Sequence, residues 1–378
     1  MLKISKSILA IATLSGTIIG AGLFSLPYIA SKVGIWVMLG YFLILGALAV
    51  LIHLFFGELA SITPDFKRLP GFAKIHLGNW GEKAAFISTI LGLLGTILAY
   101  LIIGGEFLTN LLSPIFGGDN LIYTLFYFTS GAILIFFGIK AISRIEFWGL
   151  ILFFIVLVIL FFKGLPILKI DNLLRETGNI TNLFLPYGPI LFSLWGAALI
   201  PEVEEMLGED KKLLKKIILV SILIPIMVYL FFIFLILGIC GPRTTEAALT
   251  GLGNFLGTGI VSLALFFGVL CTFTSFIALG LTLKKVFWYD LKIKKNLAWA
   301  ITCFIPLILF LIGMKHFIPA ISVVGGVMLG IDGILILLMY HKLQAKTQKS
   351  KVKSLLMIFP LAAVLLGGII YEMIYFIK

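Results

Sequence analysis

Eleven stretches of this chain are long and apolar enough to cross a bilayer, and the charges fall between them. The stretches cover residues 7–30, 33–59, 84–112, 121–139, 147–162, 186–206, 217–239, 254–283, 297–313, 318–340 and 355–377. A spanning helix needs about 20 mostly apolar residues. The runs are continuously apolar rather than alternating, which excludes a membrane barrel. Of the 378 residues, 61% are hydrophobic and only 12% are charged. A soluble domain carries about 25% charged residues, so a soluble enzyme, a disordered chain and a coiled coil are all excluded. Only a bilayer solvates this much apolar surface, and an all-α polytopic membrane protein with 11 transmembrane helices is expected.

The net charge of +12 then becomes a question of sides. Alternate gaps hold 22 of the 29 basic residues, with clusters at Lys211, Lys212, Lys215 and Lys216 and at Lys284, Lys285, Lys292, Lys294 and Lys295. The opposite side holds seven: Lys32, Lys163, Lys169, Arg175, Arg243, Lys315 and Lys378. The excess of basic residues marks the cytoplasmic side. The expectation is an integral protein of the plasma (cytoplasmic) membrane with its N-terminus in the cytoplasm and its C-terminus outside. The first apolar run continues to Ala30, too long for a cleavable signal peptide. Nucleic acid is not an expected partner.

No catalytic constellation is visible. Cys240, Cys271 and Cys303 share no metal-binding or disulfide spacing, and His53, His76, His316 and His341 are scattered. No zinc motif, phosphate loop or nucleophile elbow occurs. The chain is therefore not read as an enzyme, and no organic cofactor or structural metal is expected. A channel would need a polar or charged ring along a pore, and no span has a polar stripe.

Two spans carry residues that interrupt helices. Span 1 has Gly16, Gly20 and Gly22 within seven residues, then Pro27. Span 6 has Gly196, Ala197 and Ala198 at its middle, then Pro201. Each glycine costs about 1 kcal/mol against alanine inside a helix. Unpaired backbone at membrane depth is tolerated only beside a cavity or ligand. One reading is close helix packing, since Gly16 and Gly20 form a GxxxG pair. In that case a receptor or assembly scaffold would serve as well as a transporter. The other reading is a midplane binding site, because spans 1 and 6 open two five-span units of opposite orientation. Half-helix N-termini suit a carboxylate, and exposed carbonyls suit an ammonium or a cation.

Four stretches together resemble the amino acid/polyamine/organocation superfamily, with the LeuT fold, and its hydroxy/aromatic amino acid permease and amino acid/auxin permease branches. They are residues 16–27; Glu58-Leu59 with Pro70-Gly71-Phe72 and Leu77-Gly78-Asn79-Trp80-Gly81; residues 192–205 with Ile200-Pro201-Glu202; and Thr274-Ser275-Phe276 with Gly280-Leu281. The resemblance implies a single transmembrane domain. Its 5+5 inverted repeats would lie near 7–162 and 186–340, with one extra C-terminal helix at 355–377, and helices 1 and 6 would be broken. It also implies a secondary active amino acid transporter working by alternating access. The substrate carboxylate would meet the amides of Gly20, Ala21 and Gly22. The ammonium would meet carbonyls near Gly16, Thr17, Phe192 and Ser193. Tyr100 and Trp195 become pocket candidates, and the small residues from Gly196 to Ala198 leave room for a hydrophobic or aromatic side chain. Thr17 and Ser193 have a plainer use, a bond to the preceding helical turn. Residues 241–249 are expected to form a short helical cap over the outer vestibule.

For the coupling ion, the resemblance implies a Na⁺ site from the carbonyls of Gly16, Ile19 and Cys271 and the hydroxyls of Thr274 and Ser275. The resembling permeases are generally proton-coupled, although the lysine that some proton-coupled relatives carry in span 5 is missing from 147–162. Acids inside a membrane are functional suspects, which makes Glu106 and Asp332 candidate proton carriers, with His53 behind them. Glu58 and Glu202, at cytoplasmic helix ends, are placed to meet a basic residue such as Lys6 at an inner gate.

Overall fold

A computed structural model describes residues 5–63, 67–138, 142–175, 182–346 and 351–377. Lys3, Lys140, Lys349 and Lys378 of the charge count lie outside these residues. The described residues form helices and turns, with no strand among them. In chain order the helices are α1 (Lys6–Ile18), α2 (Leu26–Val33), α3 (Ile35–Ile62), α4 (Leu69–Leu77), α5 (Asn79–Phe116), α6 (Asn120–Phe137), α7 (Ile142–Gly164) and α8 (Asp171–Leu174). They continue with α9 (Tyr187–Ser193), α10 (Ile200–Leu207), α11 (Leu214–Cys240), α12 (Thr258–Lys285), α13 (Lys295–Leu311), α14 (Phe317–Val323), α15 (Leu329–Lys346) and α16 (Lys351–Ile377). Among the described residues, seven long helices can cross a membrane by length and apolarity; α14 and α15 count together as one, and the bent pair α1–α2 adds another.

Burial runs opposite to that of a soluble protein. Leu43, Phe126 and Met227 are 75%, 62% and 67% exposed, while His53, Asp332 and Glu372 are buried. Apolar side chains face outward, where lipid replaces water, and polar ones turn into the bundle. At 38 residues α5 is the longest helix. At 1.5 Å per residue it extends about 57 Å, well beyond a hydrocarbon core of about 30 Å. It packs on α12, α4, α6, α13 and α14, so its side chains reach much of the interior.

The breaks and turns follow local chemistry. Gly34 and Gly78 adopt φ 85° where α2 meets α3 and α4 meets α5, a region costly for any side chain with a Cβ. Pro27, Pro70 and Pro201 sit in the first turns of α2, α4 and α10, where a missing N–H is harmless. The segment between α14 and α15, Val324–Met328, is a single π turn around Gly325 and Gly326. Lys284, counted above with the loop charges, is buried and closes α6. Its ammonium donates to the carbonyls of Ile135 at 2.8 Å and Phe136 at 2.9 Å, where the helix dipole is negative. The gap after α11 holds two short 3₁₀ helices, Gly241–Arg243 and Thr250–Asn254. Ala247, Ala248 and Leu249 between them are buried.

Candidate functional site

The first interruption lies between α1 and α2. Ile19 leaves the helix at ψ 79° and Gly20 is extended (φ −118°, ψ −158°). Ala21–Ser25 then forms a 3₁₀ turn, and the chain resumes 46° off the α1 axis. The first N–H groups of such a turn have no carbonyl partner within it. That of Ala21 donates to the Tyr100 hydroxyl on α5 at 3.1 Å. A Cβ on Gly20 would lie 2.5 Å from the same hydroxyl, and one on Gly22 would overlap the Ser193 side chain. Gly20 and Gly22 are therefore required by close approach.

The second interruption lies between α9 and α10. Gly196 sits at φ −134°, ψ 12°, followed by a 3₁₀ turn over Ala197–Leu199. Its N–H donates to His53 Nε2 on α3 at 2.9 Å, while His53 Nδ1 lies 2.6 Å from the Ala49 carbonyl. Nδ1 must donate and Nε2 must accept, so these two bonds specify the neutral ring with its proton on Nδ1. A Cβ on Gly196 would lie 2.7 Å from Ile18 Cγ1, so the two breaks approach one another.

One side chain joins them. The Tyr229 hydroxyl, fully buried on α11, lies 2.5 Å from the Ile18 carbonyl and 2.8 Å from the Ser193 carbonyl. These carbonyls end α1 and α9, so the negative poles of two half-helices converge at one phenol. On the other side of each break lies the N-terminal end of a helical segment. The arrangement suits a ligand with a negative and a positive group a few ångströms apart.

The structure thus brings Gly20, Ala21, Gly22, Tyr100, Phe192, Ser193 and Gly196 together. Thr17 and Ser193 have their plainer use. The Thr17 hydroxyl donates to the Thr13 carbonyl at 3.0 Å and that of Ser193 to the Pro189 carbonyl at 2.7 Å. Trp195 faces His53, with ring centres 5.5 Å apart, and approaches Gly333 on α15. Its contacts are with α3 and α15. In the expected cation set, the Thr274 hydroxyl donates to the Cys271 carbonyl at 3.0 Å. Helix α12 packs mainly on α5, α7, α6 and α13, whereas α1 packs on α11, α10 and α7. Gly16 lies in α1 and Ile19 just past its end, whereas Cys271, Thr274 and Ser275 lie in α12. No group of three His, Cys, Asp or Glu side chains among the described residues is placed to hold a metal.

The two acidic candidates occupy different places. Asp332 is buried on α15 and accepts from the Ser88 hydroxyl on α5. Glu106 is half-buried on α5. Near the end of α3, Glu58 accepts from Gln344 on α15 at 3.2 Å. Ion pairs among the described residues include Arg68–Asp290 at 3.4 Å and Lys74–Glu82 at 3.2 Å. Sequence reasoning missed Tyr229 as a site residue. Its one signal was being, with Ser221, one of two hydroxyls in the apolar run 217–239.

This helical architecture matches the crystal structure of MhsT in complex with L-phenylalanine. The TM-score is 0.71, with 97% of this chain and 98% of that chain covered at 16% identity. The fold is thus the LeuT fold. Residues 3–375 match the tryptophan/tyrosine permease family, and the chain belongs to that family. It is similar to the tyrosine-specific transport system 1 of Haemophilus influenzae, at 28% identity over 341 residues, 85% of this chain and 84% of its relative. The chain is an integral membrane amino acid transporter, not an enzyme.

Proposed function

We propose that this chain is a secondary active, cation-coupled symporter of aromatic amino acids, working by alternating access around the breaks in spans 1 and 6. The observation that carries the reading is the convergence at Tyr229 of the carbonyls of Ile18 and Ser193, next to the Ala21 N–H held by Tyr100. In this reading the α-carboxylate takes the amides from Gly20 to Gly22 together with the Tyr100 hydroxyl. The α-ammonium lies against the carbonyl ends of α1 and α9, near Gly16, Thr17, Phe192 and Ser193. The side chain extends towards Gly196, Ala197 and Ala198. A tyrosine-specific relative and a phenylalanine-bound structural neighbour support an aromatic substrate.

The same proposal includes eleven spans. Beyond the seven long helices and the α1–α2 pair, the shorter α7 and α13 and the interrupted pair α9–α10 supply three more. Repeats at 7–162 and 186–340, α16 as the extra helix, a cytoplasmic N-terminus and an external C-terminus follow from that count and from the basic residues. The test is counterflow of labelled L-tyrosine in proteoliposomes of the full chain, with unlabelled tryptophan, phenylalanine and leucine as competitors. Saturable exchange inhibited by the aromatic competitors is expected. Non-saturable flux, or no exchange by folded protein, overturns the reading. Imposing Na⁺ and H⁺ gradients separately then tells the Gly16, Ile19, Cys271, Thr274 and Ser275 set from a carboxyl carrier.

A further inference from the structure

The side with few basic residues does not spread them evenly. Of its seven, Lys32, Lys169, Arg175 and Arg243 lie on three segments: the end of α2, the stretch around α8, and the turn after α11. These segments meet around a cavity of about 270 Å³, whose lining includes Ser31, Lys32, Asn172, Leu173, Arg175 and Leu237. Its walls are fixed to one another. Asn172 Nδ2 donates to the Gly238 carbonyl at 2.8 Å, and the Lys169 N–H donates to the same carbonyl at 3.0 Å. A Cβ on Gly241 would lie 2.6 Å from Asn172 Oδ1, so only glycine lets α8 seat against the end of α11.

Two cations line the cavity from different elements. Lys32 is in the last turn of α2, with its ammonium 4.8 Å from the centre of the Tyr28 ring, and Arg175 caps the end of α8. Neither takes part in an ion pair among the described residues. Asp171 is the one acid from Leu165 to Arg175, and it is exposed. The Ser31 hydroxyl already donates to the Tyr28 carbonyl at 2.7 Å, so recognition falls to the ammonium and the guanidinium. That pair suits a phosphate, which accepts from a guanidinium fork and a point charge together. The surroundings are apolar. Trp36, Ile170 and Leu174 flank the lining residues in sequence and are 73%, 63% and 55% exposed. Tryptophan is enriched at headgroup depth. A free phosphate has no use for such a rim, whereas a phospholipid lays its chains along it.

We infer that this cavity binds the phosphate of an anionic phospholipid from the external leaflet, with Lys32 and Arg175 as its two contacts. Basic pockets between spanning elements recognise headgroups in this way. The bound lipid ties the end of α2 to the segment between spans 5 and 6. Helix α2 has eight residues, follows the first break and packs on α11. A ligand that binds one arrangement better than another shifts the population towards it. The lipid therefore favours the present arrangement of α2, and acts on the candidate substrate site from the far end of that half-helix. The choice of leaflet rests on the orientation proposed above.

The experiment uses purified full-length protein in phosphatidylcholine–detergent micelles into which phosphatidylglycerol is titrated, with thermal unfolding as the readout. Wild type should gain about 2–4 °C in melting temperature, saturating with phosphatidylglycerol. K32Q and R175Q should each lose most of that gain, while K32R keeps it. K315Q, which removes a different cation of the same side, should keep it too. Glycerol phosphate in solution, added to phosphatidylcholine micelles, should give little. If K32Q does not fold, R175Q decides, because Arg175 is exposed and lies outside the spanning helices. Equal stabilisation by the two lipids overturns the inference. So does a loss in K315Q as large as in K32Q and R175Q, which would mean general surface attraction. A full gain from soluble glycerol phosphate overturns the lipid and leaves a free anion in its place. Unfolding is read without transport, so a failure here leaves the transporter reading standing.

Discussion

The two helix breaks use the same backbone device and hold it in different ways. At the first, the orphaned Ala21 N–H meets the Tyr100 phenol; at the second, the Gly196 N–H meets the His53 imidazole. A phenol donates as well as accepts, so it can turn its proton towards an incoming carboxylate while the amide does the same. The His53 ring is already committed on both nitrogens, to Ala49 and Gly196. In the proposed reading the first break exchanges a protein partner for a ligand, and the second keeps its shape. The Tyr229 hydroxyl, in reach of both helix ends, makes the two breaks one unit.

Substitutions can break this comparison in a definite order. Gly22→Val should have the largest effect, because its side chain would enter the space of Ser193 and Phe192. Overpacking costs about 1–3 kcal/mol, and here the cost falls on the site, so tyrosine binding should be abolished in a protein that still elutes as folded. Scintillation-proximity binding alongside size-exclusion chromatography checks this. Tyr229→Phe removes the one O–H that two buried carbonyls share, a loss worth about 1–3 kcal/mol. Lower thermal stability and slower exchange should appear together, since both breaks are loosened.

His53→Ala should lower stability by about 1–3 kcal/mol through the unpaired Gly196 N–H, and change tyrosine affinity less than Tyr100→Phe does. Thermal unfolding of the detergent-solubilised variant and tyrosine binding are the paired readouts. A large affinity loss with unchanged melting would reverse the roles assigned to the breaks. Tyr100→Phe should do the opposite at the smallest cost in stability, with an affinity loss of about tenfold, equivalent to roughly 1.4 kcal/mol. Equal losses of stability and affinity in both variants would erase the distinction.

Much of this was legible in the residues. Gly16, Gly20 and Gly22 before Pro27, and Gly196 before Pro201, mark the breaks because glycine and proline act on their own backbone, whatever surrounds them. The amide ligands expected at Gly20, Ala21 and Gly22 came instead from the family resemblance, and they remain part of the proposal. Partners are different. Nothing near His53 in sequence points to Gly196, 143 residues away. Thr17 and Ser193 were ambiguous because a hydroxyl on a helix can always bond the turn before it, as both do. Glu372 had a signal, since it is the only acid in 355–377. Its burial against Gly188 came from packing that the sequence does not display.

The sequence by itself determined that this chain is helical and spans a membrane, and where its helices must yield. Apolar run length, glycine and proline act locally, and the bilayer enforces them. The tertiary structure alone decided who answers the groups those breaks expose. An orphaned N–H or carbonyl needs a partner within about 3 Å. For Ala21, Gly196, Ile18 and Ser193 that partner comes from another helix, brought there by packing rather than by position in the chain.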